Sequence, residues 1–145
     1  MLTPFATGFV DLQSPAGVGI AGVIYDYDGS VYVSDEARMM ARFKNYYFRL
    51  GNVNENSYQE MFNGELLHHI ISSACTECLP VCSECVFQPY CGADPVRNMS
   101  EQGDMIGFRP TNEMCKKTKS IIHYLFELLH KHDPEINRIF WSWLN

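Results

Sequence analysis

The chain has no long apolar run. No stretch approaches the roughly 20 residues that a membrane-spanning helix requires, so a membrane partner is not expected. Its start, MLTPFATGFVDLQ, has neither the basic opening nor the continuous apolar core of a secretory signal. Positive charge is scarce: 11 Lys and Arg stand against 17 Asp and Glu, a net charge of -6. That balance disfavours nucleic acid as a partner. There is no internal repeat and no low-complexity tract, and the Gly and Asp of QGDMIG read as a turn rather than a phosphate cradle. The expected localisation is cytoplasmic, a compartment that keeps thiols reduced.

Against these absences stand six cysteines, five of them inside ACTECLPVCSECVFQPYC: Cys75, Cys78, Cys82, Cys85 and Cys91. Cys115 follows in the next segment. In a reducing compartment such a density points to metal ligation or redox chemistry before disulfides.

The length of 145 residues suits one domain. Residues 1–17, rich in Gly, Pro and small side chains, read as a connector cut from a longer protein. Residues 18–73 read as a hairpin followed by helices. Two runs rich in Val, Ile and Tyr flank Asp28-Gly29, a step that supplies the positive φ of a tight turn. FRLGNV, residues 48–53, adds a third short strand. Ser57 caps a short helix, and another runs from Glu65 to about Ser72. Residues 74–115 form the cysteine-rich part, where Pro80, Pro89, Gly92 and Pro95 break regular structure. Residues 116–145 are helical. Apolar positions Ile121, Ile122, Leu125, Leu128 and Leu129 make one stripe, and Asp133-Pro134-Glu135 starts a final helix. The expected fold is α+β: a small β-hairpin sheet, an irregular Cys-rich metal-binding lobe and a helical C-terminus.

The thiol spacing admits two inorganic occupants. Zinc accepts four thiolates, and Cys75-x2-Cys78 and Cys82-x2-Cys85 are two chelating pairs, yet only three residues separate them. A zinc site can also combine one pair with Cys91 and Cys115. A [4Fe-4S] cluster is wider and tolerates unequal gaps with a distant closing ligand. The series Cys82-x2-Cys85-x5-Cys91, closed by Cys115, meets that need, with Phe87 and Tyr90 inside the loop to exclude water. Cys78 to Cys85 also matches CxxxCxxC formally. That pattern binds the catalytic cluster of radical S-adenosylmethionine (radical SAM) enzymes, but Glu84 stands where an aromatic is usual and no barrel sequence surrounds it.

CSECVFQPYCG with the later Cys115 resembles the C-terminal SPASM domain of radical SAM enzymes that mature ribosomal peptides. CGADPV, QGDMIGFRPT and FRLGNV are most similar to the maturases of the His-Xaa-Ser peptide system. The resemblance covers nearly the whole chain. It implies an auxiliary cluster that gives structure, positions a precursor peptide or transfers electrons. It also implies a partner barrel, absent from this chain, where S-adenosylmethionine would bind. A full SPASM domain holds two clusters. Here Ser34 stands at one expected ligand position of the first, Pro95 at another, and no cysteine precedes Gly29. The set implied for the second is Cys82, Cys85, Cys91 and Cys115, so one cluster is expected. Cys75 and Cys78 fall outside the pattern, as a spare pair, a zinc site or alternative ligands. The fragment is not expected to be catalytic alone. The rival readings are a zinc-stabilised interaction module without redox role and a free-standing electron carrier.

The remaining polar candidates have plainer readings. His68 and His69 sit on a helix, pointing to different faces. His123, His130 and His132 belong to the long C-terminal helix or its end. Asp26, Asp28, Asp35 and Glu36 read as solvated turn carboxylates around the hairpin, and Asp94 and Asp104 as turn caps or supports of the cysteine loop. Trp141 and Trp143 are expected to pack onto the body. If exposed, they mark a contact with the barrel or with another copy, a homo-oligomer.

Overall fold

A computed structural model describes residue 14 and residues 16–143. The connector expected over residues 1–17 therefore falls mostly outside the described residues. Its end does not: Ala16 is buried.

The chain folds as α+β. Strands β1 (Ile24–Tyr25), β2 (Ser30–Tyr32) and β3 (Arg49–Asn52) form one antiparallel sheet in the order β1-β2-β3. Tyr25 pairs with Val31 and Ser30 with Asn52. The hairpin turn is where Asp28-Gly29 predicts it. Gly29 has φ +83°, and a Cβ there would lie 2.8 Å from Asn52 Oδ1, so the position needs glycine. Asp28 Oδ1 accepts from Ser30 N–H at 2.9 Å, completing an Asx-type turn.

Helix α1 (Asp35–Arg42) follows β2 directly. The sequence alone marks this stretch only as the surroundings of the hairpin. Ser34 is its N-cap, accepting from Ala37 N–H at 3.2 Å, with Asp35 and Glu36 in the first turn. Helix α2 (Tyr58–Phe62) starts at a capping box formed by Ser57 and Glu60. Helix α3 (Glu65–Ala74) leads into the cysteine region. There the chain makes two single 3-10 turns, Thr76–Cys78 and Gln88–Tyr90, among bends, as the breakers predict.

Helix α4 (Pro95–Gln102) is an element that reading Pro95 as a breaker missed. Pro95 is its first residue, where a missing N–H costs nothing. Asp94 caps it, accepting from Val96 and Arg97 N–H at 2.9 and 3.1 Å, and left-handed Gly103 ends it. A 3-10 turn, Arg109–Thr111, precedes α5 (Glu113–His130), and α6 (Pro134–Ser142) follows after the Asp133 cap.

The apolar core lies in the first part of the chain. Tyr32 and Val33 from β2 and its extension, Ala37 and Ala41 of α1, Phe48, Ile70 of α3 and Val96 of α4 form one buried cluster. The α5 stripe is only partly covered: Ile122 is buried, Ile121 exposed, and Leu125, Leu128 and Leu129 half-buried. Trp141 and Trp143 do not pack on the body as expected but stand about two-thirds exposed, at 68% and 67%. Helix α6 buries no residue, so nothing on the body receives them. Among the described residues, no helix is long and apolar enough to cross a membrane.

Burial raises the Asp94 carboxyl above its ordinary value, more than its two N–H bonds lower it. Asparagine caps a helix about as well as aspartate without that buried charge. Asp94→Asn is therefore expected to leave the denaturation midpoint unchanged or higher. Asp94→Ala should cost about 1 kcal/mol in the same chemical denaturation experiment.

Candidate functional site: a four-cysteine cavity

The thiols approach one another from three separate pieces of chain. Cys82 and Cys85 lie on consecutive turns after α3, Cys91 just beyond the Gln88–Tyr90 turn, and Cys115 on the first turn of α5. All four border one small cavity, together with Thr76, Val81, Phe87, Gln88, Arg109 and Lys119. A second small cavity adjoins it and shares Cys82, Cys91, Cys115 and Arg109. Each holds about 20 Å³, room for a water-sized guest. All six cysteines are free thiols. Among the described residues, no three His, Cys, Asp or Glu side chains lie close enough together to share a single metal ion. Cys75 and Cys78 border neither cavity.

The electrostatics link the four groups. Burial pushes the Cys91 thiol up to about 11, and the nearby Cys115, Cys82 and Cys85 add to the rise. Burial likewise raises Cys82, while the neighbouring Arg109 guanidinium pulls it back. Cys75 is raised by burial and then by Glu77 and Cys78, so that pair forms a separate neighbourhood.

Local structure explains the convergence. Between Cys75 and Gly92 only Thr76 and Leu79 are buried, so the loop has little apolar core of its own. Thr76 anchors it: its N–H donates to Ser14 Oγ at 3.0 Å, and its Oγ1 accepts from Gln88 Nε2 at 3.1 Å. Val81, just before Cys82, has φ 68°. A β-branched residue rarely adopts that left-handed backbone, and here it turns the chain towards the cavity. On the other side, Cys115, Thr118, Ile122 and Phe126 fall on one face of α5. Phe126 closes over the loop aromatics, stacked on Phe87 at 6.4 Å and edge-on to Tyr90 at 5.2 Å. Phe87 borders the cavity, and Tyr90 borders neither of the two.

Three polar residues of this site went unnoticed in the sequence: Asn98, Arg109 and Asn112. All are buried. Asn98 Nδ2 donates to the carbonyls of Met105 and Ile106 at 2.8 and 3.2 Å. Its Oδ1 accepts from Asn112 Nδ2 at 3.0 Å and from Arg109 Nη1 at 3.3 Å. Asn112 Oδ1 in turn accepts from Cys115 N–H at 2.8 Å, the N-cap of α5. The Asn112 cap was legible, since it precedes the periodic run; the bonds to Asn98 were not.

Other candidates settle into structural roles. Asp26 pairs with Arg42 at 3.2 Å and Asp35 with Arg38 at 2.7 Å. Glu36, with Ser34, Asp94 and Arg97, borders a wider cavity of about 420 Å³ that no cysteine lines and that shares Asp94, Arg97 and Met114 with the second small cavity. Asp104 caps a turn, accepting from Ile106 N–H at 3.0 Å. His68 and His69 are exposed, and His123 lies 3.3 Å from Glu127 on the α5 surface.

Asn112→Ala removes the cap and orphans its bond to Asn98, so it should cost roughly 2–3 kcal/mol in chemical denaturation. Val81→Gly relieves left-handed strain of about 1–2 kcal/mol, less about 0.5–1 kcal/mol from a freer unfolded chain. It should leave the midpoint of the same transition unchanged or slightly higher.

No protein-family model, curated protein or solved structure matches this chain.

Proposed function

We propose that the chain is an auxiliary cluster-binding domain. In this reading Cys82, Cys85, Cys91 and Cys115 hold one [4Fe-4S] cluster within a radical SAM enzyme that modifies a ribosomal peptide. The observation that carries it is the bordering of one cavity by these four thiols. They are the same four that the SPASM resemblance selects, and Cys75 and Cys78 stand apart. The donor set fits: four soft thiols from three pieces of chain border one space, the ligand type and number that such a cluster takes. The cavity also carries a buried guanidinium, which suits an anionic guest.

When bound, such a cluster supplies one-electron transfer and a rigid cross-link between α5 and the cysteine loop. The chain's own residues do the rest. Asn112 fixes the helix turn that bears Cys115, Phe87 covers the sulfurs with Phe126 stacked behind it, and Thr76 tethers the loop. With four protein thiolates there would be no open iron, which favours structure or electron transfer over substrate binding. The first cluster of a full SPASM domain would be absent: Ser34 and Pro95 begin helices α1 and α4 in place of two of its ligands. The wider cavity beside Ser34, Glu36 and Asp94 offers space for part of a precursor peptide. The exposed Trp141 and Trp143 suit contact with the partner barrel or a second copy.

The second reading is a zinc-stabilised interaction module, and the small free space favours it. Against it, zinc bonds of about 2.3 Å set sulfurs roughly 3.8 Å apart, and no three donors are grouped to share one ion. For the wider cube, the wall that must yield is the half-exposed loop from Cys82 to Gln88, which has little packing to lose.

Protein purified without oxygen is expected to be brown, with iron and sulfide bound and little zinc by elemental analysis. Cys115→Ala should lose most of that iron, while Cys78→Ala should keep it. Colourless wild-type protein carrying zinc after anaerobic purification and reconstitution would sink the cluster reading.

A further inference from the structure

Arg109 is a cation in an expensive place. It opens the 3-10 turn before α5 and is only 7% exposed. Its Nη1 donates to Asn98 and the guanidinium also engages the Cys82 sulfur, while Nε and Nη2 are buried and make no close hydrogen bond among the described residues. Both small cavities are bordered by Arg109 together with Cys82, Cys91 and Cys115. One carboxylate, Asp94, borders the second cavity, and its Oδ1 is already accepting from two N–H groups of α4. The other cation at the first cavity, Lys119, is half-exposed. A buried guanidinium with idle donors is stable only where an anion meets it.

We propose that Arg109 is the charge partner of the cysteine-bound centre, donating from Nε and Nη2 to its sulfurs and making its reduced state easier to reach. The inference rests on the cluster reading above. Four thiolates leave the centre net negative, and more so after it gains an electron. Hydrogen bonds to the sulfurs and nearby positive charge raise the potential of such centres. Arginine suits the role because it stays protonated and its fork reaches two acceptors at once. Reduction here is outer-sphere: one electron arrives from an external low-potential donor, with no bond made or broken and no proton moved. Arg109 is thus a positioning and charge-balancing residue, not a ligand.

The test uses the full chain, loaded with iron and sulfide without oxygen, as wild type, Arg109→Gln, Arg109→Lys and Lys119→Gln. Dithionite titration followed by electron paramagnetic resonance gives the midpoint potential, and a chelator gives the rate of iron release. Arg109→Gln should move the potential to a more negative value and release iron about ten-fold faster. Arg109→Lys should restore most of the potential, because the charge remains, yet still release iron faster than wild type, because the fork is lost. Lys119→Gln should move the potential less than Arg109→Gln, since water screens it. Equal potentials in wild type and Arg109→Gln would overturn the inference while leaving the cluster reading intact. Wild-type protein that holds no iron overturns both. If the Gln variant does not fold, Arg109→Lys decides: iron release no faster than wild type would overturn the role.

Discussion

The carboxamide of Asn98 bonds to chain that would otherwise have no fixed place. Its nitrogen holds the carbonyls of Met105 and Ile106, in the loop after α4. Its oxygen receives Asn112 and Arg109, the residues that lead into α5. Asn112 passes the constraint on to the N–H of Cys115. A single buried side chain thereby ties α4, which packs in the apolar core through Val96, to the position of the last thiol. Such a network stabilises when every member is satisfied and costs heavily when one is lost. Here one member, Arg109, has two buried nitrogens without a close partner among the described residues.

The molecule divides its sources of order. The sheet, α1, α3 and α4 are organised by apolar burial around Val33, Phe48 and Ile70. The four-cysteine region borrows its geometry from its neighbours: from α5, from Thr76 and from the aromatic cover of Phe126 on Phe87 and Tyr90. Helix α5 meets the loop through Cys115 and Phe126, and buries Ile122 on the same face.

Much of this arrangement was written in local signals. Asp28-Gly29 announced the hairpin, Ser57 and Asp133 announced helix starts, and the prolines announced the irregular loop. The same logic should have given α4, because Asp94-Pro95 repeats the cap and first-turn pattern of Asp133-Pro134; proximity to the cysteines made proline look like a breaker only. Helix α1 was hidden because Ser34-Asp35-Glu36 follows the strand without a linker. The nearness of Cys82, Cys85 and Cys91 is set by spacing, and a helix bearing Cys115 by periodicity, whereas spacing did not show that Cys75 and Cys78 lie apart from them. What no local pattern encodes is the long-range bond of Asn98 to Asn112, or that Arg109 turns inward, since Asn and Arg are surface residues by default. The tryptophans of α6 were misjudged for the converse reason: large apolar side chains are usually covered, and whether they are depends on a surface to receive them.

The loop from Cys75 to Gly92 buries two residues, and the sheet layer beside it buries many. Regions that share little burial need not open together. The loop can fluctuate while the sheet layer stays closed, at a cost well below that of unfolding the whole chain. How long the thiols retain whatever they hold is then governed by this partial excursion. A melting curve dominated by the sheet layer would say little about that residence time.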